Sequence, residues 1–159
     1  MNSPAKFPRE YTLENIEQHV GRTFGPGDPI KVDQQRINAF ADTTEDRQWI
    51  HVDEERALRE SPFGGPIAHG YLTLSLLAAE QMKLGIVPDG CKGAMNYGLD
   101  KVRFLAPVKS GAEVQISAVL TDVERKGDGR VLIHSTVTVQ AAGESGPALI
   151  AETLALAFA

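Results

Sequence analysis

The apolar positions of this chain change their period once, near residue 90. Before that point they recur at helical spacing, and after it they alternate. Residues 1–9 carry two prolines and mixed charge and predict a loose arm. Thr12 then caps a short helix with Leu13, Ile16 and Val20 on one face and Gly21 at its end. Residues 22–32 predict a short strand pair, or a strand with a turn, around Gly25-Pro26-Gly27-Asp28. Asp33 caps a second helix that presents Ile37, Phe40 and Ala41 and fails near Thr43-Thr44. Residues 46–51 follow as loop, Asp53 caps a short helix to about residue 60, and Ser61-Pro62-Phe63-Gly64-Gly65-Pro66 is a turn. Over 70–84 the apolar residues Leu72, Leu74, Leu76, Leu77, Ala78, Ala79 and Met82 nearly surround a helix axis, so this helix is expected to be buried on most sides.

From residue 94 the period is that of strands. A long strand is expected over 94–108, ending at Pro107. Val114, Ile116, Ala118 and Leu120 alternate over 112–125. A Gly127-Asp128-Gly129 turn joins this strand to 131–140, where Val131, Ile133, Ser135, Val137 and Val139 share a face. A Gly/Ser turn at 143–146 leads to a last strand over 148–158. The order is helices first, then a four-stranded antiparallel meander and one long buried helix. That is an α+β arrangement in which a sheet curls around a helix.

Length, charge and cysteine content narrow the class. A chain of 159 residues suits a single domain spanning 1–159, with the arm and short helix over 1–20. Apolar residues make up 42%, enough for a core and too many for a disordered tail. A net charge of −5 argues against a nucleic-acid partner. One cysteine, Cys91, excludes an internal disulfide framework and fits a reducing cytoplasm. The N-terminus lacks the apolar core of a signal peptide, and no apolar run reaches ~18 residues, so no membrane span is expected.

Candidate chemistry concentrates between residues 40 and 77. Asp46 and His51 stand five apart in a polar stretch. Adding water to a double bond needs a base for the water and a proton donor for the carbanion side. A carboxylate and an imidazole facing one cavity can share both tasks. The spacing is common, however, and equally describes an Asp46 that ends a helix and a His51 on a surface loop. As metal ligands, Asp46, His51 and His69 lack a recognisable third-ligand spacing. Gly70 opens the apolar helix, where a free N–H can hold an oxyanion, or the turn is simply tight. His69 reads as a core or helix-start residue that braces the loop by a local hydrogen bond. Lys101 and Arg103, on an alternating strand, can meet phosphates or form a solvated face. Trp49 and Tyr97 can line an acyl or pantetheine channel, or simply pack.

The stretch Phe40 to Asp53, followed by Gly64 to Leu77 and then Asn96 to Val108, resembles the MaoC-like, or hydratase 2, family of R-specific enoyl-CoA hydratases. The family signature is Asp, any residue, Asn, Pro, an aliphatic residue, then His. Here it reads Asp46-Arg47-Gln48-Trp49-Ile50-His51. Gln48-Trp49 replaces Asn-Pro, a departure that bears on acyl-chain preference rather than on the reaction. The resemblance implies a hot-dog fold, a curved antiparallel sheet around the helix at 70–84. It implies hydration of trans-2-enoyl-CoA to (R)-3-hydroxyacyl-CoA, or the reverse. Asp46 and His51 match the catalytic pair and Gly70 the oxyanion-hole amide. Gln48, Trp49, Tyr97, Lys101 and Arg103 are candidates for substrate binding. The implied partners are an acyl-CoA thioester and a second copy in a side-by-side homodimer. No metal or redox cofactor is expected, since CoA enters as part of the substrate. A hot-dog thioesterase and a non-catalytic acyl-thioester-binding protein are the alternatives on the same scaffold.

Overall fold

A computed structural model describes residues 7–159. Of the expected arm, residues 1–6 lie outside the described residues. The chain then forms a 3-10 turn at Ile16–His19, strands β1 (Thr23–Phe24) and β2 (Ile30–Val32), and helices α1 (Gln34–Thr44), α2 (Trp49–Val52), α3 (Glu54–Glu60) and α4 (Gly70–Lys83). Four long strands follow: β3 (Gly93–Phe104), β4 (Ala112–Gly127), β5 (Arg130–Ala141) and β6 (Pro147–Phe158).

Local chemistry explains the helix starts. The Asp33 carboxylate accepts the Arg36 N–H at 2.9 Å, and the Asp53 carboxylate accepts the Arg56 N–H at 3.0 Å. Each satisfies one of the donors that a helix start leaves without a partner. Glu45 ends α1 in the left-handed region, at φ 64°.

The sheet is antiparallel, in the order β1-β4-β5-β6-β3, with β2 also on β4. This corrects the expected four-stranded meander. Only β4, β5 and β6 meander. β3 skips β4 and pairs with β6 at the far edge, from Gly93 opposite Phe158 to Phe104 opposite Leu149. A second correction concerns residues 22–32. β1 and β2 do not pair with each other; both lie on β4, with Phe24 opposite Ala118 and Ile30 opposite Val114. Gly25 and Gly27 let the chain between them run against that strand. A Cβ at Gly25 would stand 2.8 Å from the Ile116 carbonyl oxygen, and the Gly27 N–H donates to that same oxygen. β3 also stops at Phe104, short of the expected 108, because residues 105 and 106 turn to donate their N–H groups to the Ala148 carbonyl.

One face of the sheet carries Val114, Ile116, Ala118, Leu120, Val131, Ile133, Val137, Val139, Leu149 and Ala151, all buried. Each Val, Leu or Ile among them contributes about 1.5–3 kcal/mol on leaving water. α4 lies against this face through Leu72 and Leu77. Gln81 Nε2 on α4 also donates to Thr153 Oγ1 on β6 at 2.7 Å, which ties helix to sheet by a polar contact.

The helix is less enclosed than its composition predicts. Leu72 and Leu77 are buried, but Met82 and Ala79 are exposed and Leu74, Leu76 and Ala78 are half-buried. Two polar residues, Thr73 and Glu80, take buried positions instead, Glu80 paired to the Lys83 ammonium. The reason is geometric: the sheet of one chain covers one side of α4 and leaves the other open.

Candidate active site

Two segments meet at the N-terminal end of α4. The first, residues 46–51, corrects the expected loop in part, because Trp49–Val52 closes one helical turn that carries His51. The second, residues 67–70, delivers the chain into α4. They are laced together by three hydrogen bonds. The Ile67 N–H donates to the Ile50 carbonyl at 3.1 Å. His51 Nδ1 lies 2.7 Å from the Ile67 carbonyl oxygen, and His69 Nε2 lies 2.9 Å from the Asp46 carbonyl oxygen. A carbonyl oxygen can only accept, so both ring nitrogens donate. The tautomers follow. His51 keeps an unprotonated Nε2, and His69 an unprotonated Nδ1, whenever each ring is neutral. From α1, Gln34 Nε2 donates to the His51 carbonyl at 2.7 Å and holds that turn from behind.

The result is a compact group. One carboxylate oxygen of Asp46 and one ring nitrogen each of His51 and His69 lie within 4.8 Å of one another. The two imidazoles are stacked, with centroids 3.9 Å apart and planes at 27°. Stacked rings carry their lone pairs in nearly parallel planes, a poor arrangement for converging on one ion at the usual ~2 Å metal–nitrogen distance. His51 is 8% exposed and His69 2%, whereas Asp46 is exposed. Burial pushes the His51 imidazole below its ordinary range, since a charged ring there loses water. The Ile67 carbonyl opposes this, His69 adds to it, and Asp46 opposes it more weakly. At neutral pH His51 is therefore an uncharged ring with a free acceptor nitrogen.

A cavity of about 250 Å³ is lined by both His51 and Gly70, with Phe63, Thr73 and Phe104 among its walls. The Gly70 N–H opens α4, ahead of the first carbonyl that the helix turns back to, and has no acceptor within the helix. Phe104 explains why glycine stands here. A Cβ at position 70 would lie 3.0 Å from Cδ1 and Cε1 of that ring, tighter than ordinary van der Waals contact. Nothing local in the sequence marks Phe104 as a neighbour of Gly70. It arrives from the edge strand, 34 positions on, and only the pairing of β3 with β6 puts it there.

Asp46, His51, His69 and Gly70 are thus brought together. The other candidates lie elsewhere in the single chain. Gln48 precedes α2 as its N-cap, and Trp49 opens α2 with its ring 4.4 Å beneath the Arg56 guanidinium. Lys101 sits at a bulge of β3 with φ 47°, its ammonium 2.7 Å from the Glu152 carboxylate. The Arg103 guanidinium donates to the Val102 carbonyl. Tyr97 lines a second, larger cavity of about 420 Å³ between α4 and the β3–β6 edge, with Leu74, Gln81 and Thr153.

Comparison with known proteins gives the family and the fold. Residues 15–144 match the MaoC like domain. The chain is 46% identical over 143 residues to the 3-hydroxyacyl-thioester dehydratase Z of Mycobacterium tuberculosis (strain ATCC 25618 / H37Rv), covering 90% of this chain and 93% of that one. It is 44% identical over 149 residues to Nodulation protein N of Rhizobium leguminosarum bv. viciae, covering 92% and 91%. Among solved structures, an (R)-hydratase from A. caviae involved in PHA biosynthesis superposes with a TM-score of 0.67 at 25% identity, covering 86% of this chain and 94% of that one. The sheet around α4 is therefore a hot-dog fold.

Proposed function

This chain belongs to the MaoC-like dehydratase family, and on that premise we propose that it hydrates trans-2-enoyl-CoA to (R)-3-hydroxyacyl-CoA and catalyses the reverse dehydration. Lyase-type chemistry on an acyl thioester follows from the family and from the dehydratase relative; the CoA thioester and the R product are the finer part of the proposal. One observation carries it. A neutral His51 with a free Nε2 lines one cavity together with Gly70, whose N–H opens α4, and the Asp46 carboxylate lies beside the His51 ring.

The steps follow from these positions. The thioester carbonyl accepts the Gly70 N–H, which draws charge toward its oxygen and leaves C3 electrophilic. Water lies between Asp46 and His51, its second proton held by the carboxylate. His51 Nε2 takes one water proton as the oxygen bonds to C3, and the C2=C3 electrons pass to the enolate oxygen at Gly70. The imidazolium, balanced by Asp46, then returns its proton to C2, which restores the thioester and the neutral ring. Net, one water is added and nothing is oxidised or reduced. The scheme calls for neither a metal nor a redox cofactor, and CoA enters with the substrate.

The test is crotonyl-CoA hydration with Asp46→Asn and His51→Gln, folding checked by circular dichroism. Each variant should lose at least ~10²-fold in kcat, the usual share of a positioned acid or base. The product should be the R alcohol, silent toward an S-specific 3-hydroxyacyl-CoA dehydrogenase. Near-normal turnover in both variants, or release of free CoA in place of hydration, defeats the proposal.

We also infer that two copies pair through β3. Its outer edge has no partner strand among the described residues, and Met95, Tyr97, Leu99, Phe104 and Leu105 are exposed along it and just beyond it. Tyr71, 69% exposed, and Met82 extend this apolar surface onto the open side of α4. Unpaired edges and apolar patches of this kind invite association.

A further inference from the structure

His69 touches every part of the candidate site yet takes no part in the scheme above. Its ring stacks on His51 and packs against Phe40 at 5.0 Å. Its Nε2–H holds the Asp46 main chain. Its own carbonyl accepts the Leu72 and Thr73 N–H groups at the first turn of α4, immediately beside Gly70. Its Nδ1 is buried with no hydrogen-bond partner, an uncommon cost for a ring that only fills space.

We propose that His69 is the positioning residue of the site, fixing the Asp46 backbone with Nε2–H and the plane of the His51 ring with its face. The inference rests on the hydratase reading for its kinetic part. The physical basis is that Asp46 and His51 belong to a segment with only short regular structure. Residues 45–48 lie between helices, Asp46 is exposed, and its carboxylate makes one weak contact, accepting the Gln48 N–H at 3.4 Å. Without His69 nothing in the described residues bonds the Asp46 carbonyl. The His51 ring would lose the wall that sets its Nε2 direction, leaving the Nδ1–H bond to Ile67 as a pivot. The charged or titratable groups acting on His51 are Asp46 and His69, which oppose each other. Replacing His69 by an uncharged residue removes one of the two causes that hold His51 down, burial being the other, so the His51 titration moves up.

Two substitutions separate the two contacts. His69→Phe keeps a flat ring for the stack and removes the donor to Asp46. His69→Gln keeps an N–H at the place of Nε2 and removes the ring. With crotonyl-CoA, His69→Phe should lower kcat by about 10–10²-fold, the scale of an ångström-sized misplacement of a reacting group, with KM within about two-fold of wild type. His69→Gln should recover at least about ten-fold of that loss by keeping the bond to Asp46. Nitrogen-15 NMR follows the His51 ring without turnover, and its titration midpoint should rise in both variants. Wild-type kcat in His69→Phe overturns the inference. So does an equal loss in both variants with an unmoved His51 midpoint, which is what a merely structural role produces. Wild-type protein that fails to hydrate crotonyl-CoA counts against the hydratase reading instead, and the His51 midpoints then decide the positioning role alone.

Discussion

His51 shows how one residue's surroundings set its use. Its burial disfavours the imidazolium, and its folded value is lowered relative to the unfolded chain, where a His titrates near about 6.5. The sign then runs one way. The unfolded state binds more protons in acid, so the contribution of His51 to stability is present above the unfolded value and lost as pH falls through the folded one. The proposed catalysis draws on the same group. If neutral His51 is the base, kcat/KM should be flat through neutrality and fall on an acid limb below about 6.5. A pH–rate profile with crotonyl-CoA checks this, and an acid limb centred above 6.5 contradicts the assignment.

The helices that carry the site are held by short-range devices at their ends. α1 matters because Gln34, its first residue, bonds the His51 carbonyl, so whatever starts α1 also places α2. The start is the Asp33 side chain, whose Oδ1 accepts the Arg36 N–H. Asp33→Ala should cost about 1 kcal/mol, the usual worth of an N-cap, seen as a lower urea midpoint with unchanged slope. An unshifted midpoint would mean that the cap is replaced by solvent. α4 is held differently, with no side-chain cap on its first turn. It is seated by Leu72 and Leu77 on the sheet and by the Gln81–Thr153 bond. That leaves the Gly70 N–H without a partner among the described residues.

At the scale of the whole molecule, the open side of α4 and the outer edge of β3 form one apolar surface. A second copy docking there would extend the sheet and enclose the larger cavity lined by Tyr97 and Leu99. Lys101 and Arg103 lie on the same strand and stand outside the cavity lined by His51 and Gly70. Light scattering at micromolar concentration should give about twice the 17.2 kDa of one chain. Leu99→Lys, which sets a charge on the exposed edge, should shift the mass toward one chain. A wild-type mass of one chain at every concentration refutes the pairing.

Sequence alone determined most of the elements and placed Asp46 and His51 in one short segment. Helix starts at Asp33 and Asp53, the hairpin at Gly127-Asp128-Gly129 and the buried face of β5 depend on neighbours within a few positions, so the chain states them directly. The proximity of Asp46 and His51 was legible for the same reason, since five residues cannot carry them far apart. Its detailed form was not, because the one-turn helix at Trp49–Val52 is held by Gln34 and Ile67 from other elements. Tertiary structure decided what depends on distant pairing. β3 crosses to β6 instead of β4, which brings Phe104 over Gly70 and leaves the strand as an edge. The exposure of α4 could not be read from its composition, because seven apolar positions describe a helix that needs cover without saying which chain supplies it. His69 is the clearest case. In the sequence it is a residue at a helix start. In the fold its ring lies on His51 and its Nε2 on Asp46, 23 positions away, because two loops cross where the helix begins.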